Sequence, residues 1–526
     1  MSSIAEAGPD RLGGAYHRWL ATATVLCGML ASILSSTMTN VAVADVMGAF
    51  GVGQDQAHWL STGFLAAQTA AMPTVAWLRE RFGSRAIFVV SMSIFSGFAL
   101  VGEAAESLEM VIIARVVQGA CAGISQPLAM TTIFQLFPPQ NRGLALGIFG
   151  MGVVLAPALG PTFGGIIVDT FGWRYVFLGA LPMCALGIVM ALLFLPGRDP
   201  DAPQSRFDWV GLALVCASVT CLLNALSNGQ RWGWDSEAII FLLLVAIGSG
   251  IALLVWESMI PNPMLNLALY RVPRFAAASV VAFIFGAGMF GSMYLIPLFA
   301  QQIQQLTPTA AGLMLMPAGL LLIALFPIAG RLSDKVRPDG PIISGLIAFA
   351  VASWALAGCD VNTGFWTMVV LIAVGRGGLA FVVSNMNSSA LKALPPNLLG
   401  QGSGAINFIR MMGAAFGVNG LAFVVEYRTA QHAEILTATQ TAGNPETLSF
   451  LRKVEGIVAD AGLVGVEKSG MALNYLGRVI YAQANTMAFQ DAFIAVSVIF
   501  LLGILPAWIL GRDYARARAA AGPARR

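Results

Sequence analysis

Three arginines stand inside long apolar runs: Arg115 in RVVQG, Arg376 in GRGGLAF and Arg410 in NFIRMMGAAFG. A guanidinium at the centre of a membrane helix costs about 2.5–3.5 kcal/mol even on the lenient insertion scale, so each should face a cavity or a polar partner rather than lipid. The chemistry open to them is electrostatic: a fixed positive charge that holds an anion, or that responds to a proton gained and lost nearby. Arg115, Gln118 and Gly119 share one helix face by their spacing, and Asn407 lies three residues before Arg410. Anchoring to backbone carbonyls is the competing reading for Arg376 and Arg410. Other reactive patterns are missing. The histidines His17, His58 and His432 form no HExxH, the six cysteines form no CxxC pair, and no nucleophile with a base or phosphate loop is found. No metal and no cofactor is expected, and a membrane-embedded enzyme or receptor is the least supported class.

The elements that would position these charges follow from composition. The 526 residues are 57% hydrophobic and only 10% charged, against about 25% in an average soluble domain, so the chain must use the lipid bilayer as solvent. A net charge of +3 with scattered basic residues argues against nucleic acid. Apolar runs of about 20 residues fall near 19–40, 58–78, 86–103, 109–135, 144–168 and 174–195, then 209–227 and 237–256. Six more follow near 275–297, 309–329, 340–358, 364–390, 400–425 and 489–510. The expectation is an all-α membrane protein of fourteen helices. The first run is too long for a signal-peptide core and reads as a retained helix.

Two polar hinges reveal an internal repeat. AWLRERFGSR (76–85) is echoed by GRLSDKVRP (330–338), and FPPQNRG (137–143) by LPPNLLGQG (394–402), at offsets of about 254 and 257 residues. That offset is eight helices, so an extra pair is inserted between two six-helix bundles. The layout is a short N-terminus (1–18), a first bundle (19–195), a linker with two spans (196–274), a second bundle (275–510) and a tail (511–526). Repeated bundles are a plan of secondary transporters. Lys and Arg gather in loops that place both termini inside. The loop 426–488 lies outside, and its loose helical period predicts a small helical hairpin.

In the fifth span, Gly152, Ala156, Gly160 and Gly164 recur every fourth residue, a groove for a neighbouring backbone. Gly165 follows, and Pro157 and Pro161 remove two helix donors and should bend it. Glu80 lies among Arg79, Arg81 and Arg85, and Asp334 beside Arg331 and Lys335, so charge pairs at the hinges are expected to latch one end of the bundles.

On these motifs the chain resembles the major facilitator superfamily, and within it the fourteen-span drug:proton antiporters. Leu78, Arg81, Gly83 and Arg85 match the superfamily's first loop motif, with Ala76 and Glu80 replacing its glycine and aspartate; Gly330, Leu332, Asp334 and Lys335 match more closely. RVVQG resembles the fourth-helix motif, and GPTFGG (160–165) the fifth-helix motif of exporters. The resemblance implies a proton-coupling role for Arg115. It also implies alternating access in which the hinge contacts break, and export across the bacterial plasma (inner) membrane. Some relatives use a periplasmic adaptor and an outer-membrane channel, which makes these candidate partners.

One departure matters: Ser35, in LSSTMTNVAVAD, stands where these antiporters usually carry aspartate. The nearest acids, Asp45, Asp169, Glu426 and Asp491, lie near span ends. The expected function is export of small amphipathic or toxic compounds, with proton antiport as the energy source. The alternative is an exporter or flippase for an anionic lipid, fatty acid or aromatic acid held by the arginines. Ser35, Asn40, Phe64, Met72, Phe285, Phe290, Tyr294 and Met386 are the expected cavity residues.

Overall fold

A computed structural model describes residues 15–198, 206–441, 443–460 and 466–520, and all the regular structure among them is helical. We number the long helices in chain order: α1 (Ala15–Phe50), α2 (59–82), α3 (84–103), α4 (Leu108–Leu136), α5 (Arg142–Phe171), α6 (Trp173–Phe194), α7 (Trp209–Trp232) and α8 (Glu237–Met259). The remainder are α9 (Pro273–Gln302), α10 (Pro308–Lys335), α11 (Asp339–Leu356), α12 (Phe365–Lys392), α13 (Leu399–Ala438), α14 (Pro445–Asp460) and α15 (466–520). Thirteen stretches are long and apolar enough to cross a membrane. One of them, Trp59–Glu103, is broken at Gly83 (φ +82°, ψ 157°) into α2 and α3, so the expected fourteen spans are present.

Local chemistry starts the helices. The side chains of Ser107, Asp208, Ser236 and Thr307 accept hydrogen bonds from the first-turn N–H groups of α4, α7, α8 and α10. Pro73, in the 3-10 turn Met72–Thr74, marks an irregular point in α2. Glycines then set the packing. Gly119 and Gly123 of α4 lie against the carbonyls of Phe64 and Gln68 on α2, and Gly413 and Gly417 of α13 against those of Phe283 and Ala287 on α9. A β-carbon at any of these would collide with backbone, so both pairs need glycine to approach.

Helices α1–α6 form one bundle, and α9–α13 with α15 the other. The inserted α7 and α8 pack on each other, and α7 also lies against α2 and α13. Only 17% of the apolar window of α8 is buried, so nearly its whole surface is left to lipid. The 426–488 insertion contains the expected helical hairpin, formed by α14 and the first part of α15. α13, 40 residues in all, continues into the insertion as far as Ala438, α14 lies along α15, and α15 runs straight into the last span. At 1.5 Å per residue α13 is about 60 Å long, twice the hydrocarbon thickness of about 30 Å, so it projects well beyond the bilayer.

The end of the bundle where α1 begins and α15 finishes is called the terminal face below. There Trp19 packs edge-on against Phe137, and Arg337 donates to the carbonyl of Gly511 at 3.3 Å.

Candidate functional site

Arg115 is fully buried within the first bundle. The close approach of α4 to α2 at Gly119 lets its guanidinium reach the carbonyl of Leu60 at 3.3 Å and lie over the Phe64 ring at 4.1 Å. It also donates to Gln118 Oε1 at 3.2 Å and to Ser35 Oγ at 3.4 Å. Gln118 in turn reaches the Phe95 carbonyl at 3.5 Å. Ser35 therefore stands beside the arginine, where a carboxylate would form an ion pair, and supplies a neutral hydroxyl instead. Asn40, farther along α1, accepts from Ser61 Oγ at 2.6 Å. For His58, between α1 and α2, burial and then the charge of Arg231 lower the pKa.

Arg410 belongs to the seam between the bundles. Its Nη2 donates to Gln126 Oε1 of α4 at 2.7 Å and to Asn407 on its own helix, while its Nε and Nη1 are buried without a hydrogen-bond partner among the described residues. Ser403 Oγ donates to the carbonyl of Pro127 at 2.9 Å, and Asn407 Nδ2 lies 3.3 Å from the sulfur of Met130. Residues 403, 407 and 410 thus form a polar ladder along one face of α13, against residues 126–130 of α4. Nearer the terminal face, a β-carbon at Gly400 would lie 3.3 Å from that of Ala76, and one at Gly404 2.9 Å from the Met72 carbonyl.

The second seam joins α5 to α10. Asp334 accepts hydrogen bonds from the N–H groups of Gly143 (2.9 Å) and Leu144 (3.2 Å) at the start of α5. Its ion-pair partner among the described residues is Lys392, at 3.1 Å, which corrects the expected pairing with Arg331 or Lys335; Lys335 is exposed. Gly330 packs on Gly143, and Gly147 on the Phe326 carbonyl. From Gly152 onward the contacts change: Gly152, Gly160 and Gly164 meet Met29, Thr37 and Met38 of α1. The fifth-span glycine motif therefore binds α5 inside its own bundle, with Pro157 and Pro161 in the helix and open space beside Gly165.

The first hinge is tethered within its bundle. Arg85 donates to the Leu195 carbonyl at 2.7 Å, Arg79 donates to Gln135 at 2.8 Å, and Glu80 has no ion pair among the described residues. Gly83 is required there, because any β-carbon would meet the backbone of Arg198. Arg81, on the same turn, is half-buried.

Arg376 lies near the middle of α12, buried, and both terminal nitrogens lack a hydrogen-bond partner among the described residues. It lines two small cavities. One includes Val154 of α5 with Met293, Leu315 and Leu322; the other includes Ser292, Phe349 and Phe493. The aromatic and methionine residues nominated for the cavity do not line these two pockets, although Phe64 lies under Arg115. Phe64, Met72, Phe285 and Met386 are fully buried in packing, Phe290 is half-buried, and Tyr294 is exposed. Sequence reasoning passed over Gln126 and Ser403, and also the buried residues Ser384, Asn385, Asn387 and Ser388 of α12, which carry polar atoms without partners among the described residues. The available signal was neutral polarity inside an apolar span. Asp491, the acid nearest the last span's interior, is held by Arg428 (2.6 Å) and His432 (2.8 Å).

Two repeated helix bundles, joined at two glycine-lined seams and enclosing buried charge, define a membrane transport protein rather than an enzyme. The chain belongs to the Major Facilitator Superfamily, whose model matches residues 25–418. It is of the fourteen-span multidrug-exporter type. It is 30% identical over 507 residues to the multidrug export protein EmrB of Haemophilus influenzae, covering 96% of this chain and 97% of that one. It is 27% identical to the uncharacterized MFS-type transporter YhcA of Bacillus subtilis, covering 91% and 90%. The fold is similar to that of the human organic anion transporter MFSD10, at 14% identity with a TM-score of 0.57, covering 96% of this chain and 99% of that one.

Proposed function

We propose that this protein exports small amphipathic compounds from the bacterial cytoplasm by alternating access, with proton antiport as the energy source. The terminal face then lies in the cytoplasm, and the arrangement described is the outward-facing one. The observation that carries this reading is the position of the interbundle contacts. Asp334 on Gly143, Gly147 on Phe326, Ala76 beside Gly400 and Arg410 on Gln126 all lie in the terminal half. Contacts so placed close one entrance and leave the other end of the path free to open.

Coupling on this reading works through Arg115, whose partners are neutral. A proton must then be carried by an acid nearer the span ends, and Asp491 with His432 and Arg428 is the ion-paired group at the base of the projecting helices. The projection of α13, α14 and α15 is the surface we assign to a periplasmic adaptor leading to an outer-membrane channel. The test is dye and drug accumulation in a pump-deleted host that expresses the chain, with and without a proton-collapsing ionophore. Lower accumulation that is abolished by the ionophore supports the proposal; export that survives the ionophore overturns proton antiport, and unchanged accumulation of every compound overturns export.

A further inference from the structure

We propose that Arg376 is an anion-binding subsite in the transport path, and that the substrates include amphipathic monoanions whose carboxylate is held by this guanidinium. The proposal rests on the exporter reading above for the claim that the bound molecule is cargo.

The three buried arginines separate by what satisfies them. Arg115 has a carbonyl, an amide, a hydroxyl and an aromatic face. Arg410 is committed through Nη2 to Gln126 across the seam and to Asn407 on its own helix, with Nε and Nη1 unbonded among the described residues. Arg376 has neither Nη1 nor Nη2 bonded among the described residues, although only 5% of the residue is exposed. A buried charge left in this condition is unstable unless something completes it. Arg376 lines both of the small cavities described above, and its two unbonded nitrogens are buried beside them.

The chemistry of the surroundings selects the ligand. Two terminal N–H groups of a planar guanidinium match the two oxygens of a carboxylate. The walls are otherwise mostly apolar, with Val154, Met293, Leu315, Leu322, Phe349 and Phe493 suited to a hydrocarbon or aromatic body. No acid lines either cavity, so a cationic head group would meet only repulsion. Val154 comes from the first bundle and the other lining residues from the second. A ligand in the first of the two cavities would therefore touch both bundles, as cargo must.

The experiment uses the full chain in phosphatidylcholine nanodiscs, with dodecanoate, methyl dodecanoate and dodecyltrimethylammonium as probes and lipid-only discs as the blank. Wild type should bind dodecanoate roughly tenfold or more tightly than the other two. Arg376→Gln should erase that preference while leaving the ester's affinity unchanged, and Arg376→Lys should retain part of it. Equal affinities for the three probes in wild type overturn the proposal. So does a preference that survives Arg376→Gln. If that variant does not fold, a preference unaltered in Arg376→Lys but lost in Arg410→Gln places the anion elsewhere and overturns it equally. Export is scored separately in everted vesicles. Anion-selective binding without export removes the exporter reading and leaves the subsite, whereas export without charge selectivity does the reverse.

Discussion

Asp334, at the last turn of α10, caps the first turn of α5 by accepting the N–H of Gly143 at 2.9 Å, across the boundary between the two bundles. It acts as a helix N-cap supplied from another body, and the positive end of the α5 dipole strengthens it. Asp334→Ala should weaken the contact by about 1 kcal/mol, roughly a fivefold shift in the ratio of closed to open molecules. Spin labels on the exposed Gln140 and Asn397 would report it as a longer distance across the terminal face. An unchanged distribution would remove Asp334 from the gate.

The second seam offers a covalent test of alternating access. A β-carbon at Gly400 would sit 3.3 Å from that of Ala76, close to the separation of about 3.5–4.5 Å that a disulfide requires. The double variant Ala76→Cys with Gly400→Cys should cross-link on mild oxidation, stop transport, and recover on reduction. The natural cysteines are all free, and so supply the control for background oxidation. Full transport by the oxidised protein would show that this seam does not open during the cycle.

Glycines on α5 make a graded series. Gly147→Ala places a methyl 2.6 Å from the Phe326 carbonyl and should push α5 from α10, lowering transport and lengthening the same spin-label distance. Gly165→Ala points into open space and should leave transport unaltered. Equal behaviour of the two would mean that α5 and α10 do not need close contact.

Ser35 and Arg115 provide the test of coupling. Ser35→Asp puts a carboxylate within reach of Arg115 Nη1, and transport should become steeper in its dependence on pH and more sensitive to ionophore. Arg115→Leu should abolish transport in either background, and in Ser35→Asp it should also cost about 3–5 kcal/mol of stability, because an unpaired acid is left buried. Thermal unfolding and vesicle transport read the two effects. Normal transport by Arg115→Leu would remove the arginine from the mechanism.

The number of spans and the burial of Arg115, Arg376 and Arg410 were legible because a charge in an apolar run has so few stable solutions. Their partners were not. Arg115 finds the carbonyl of Leu60, and Asp334 finds two peptide N–H groups, and backbone groups leave no mark in the sequence. Gln126 and Ser403 resemble any polar residue in a span until the bundles are set face to face. The nominated cavity residues are hard to tell from packing residues for a related reason. Phe285 and Met386 fill helix contacts, because the side chains best suited to adaptable binding are equally good at packing.

The helix pair between the bundles gives the molecule a left and a right in the plane of the membrane. Because α7 lies against both α2 and α13, lipid reaches that seam only past a shutter. On the other flank α5 and α10 carry exposed Phe163, Ile166, Leu313 and Leu320 with no such cover among the described residues. A hydrophobic molecule dissolved in the bilayer therefore meets a bare seam on one side of this protein and a covered one on the other.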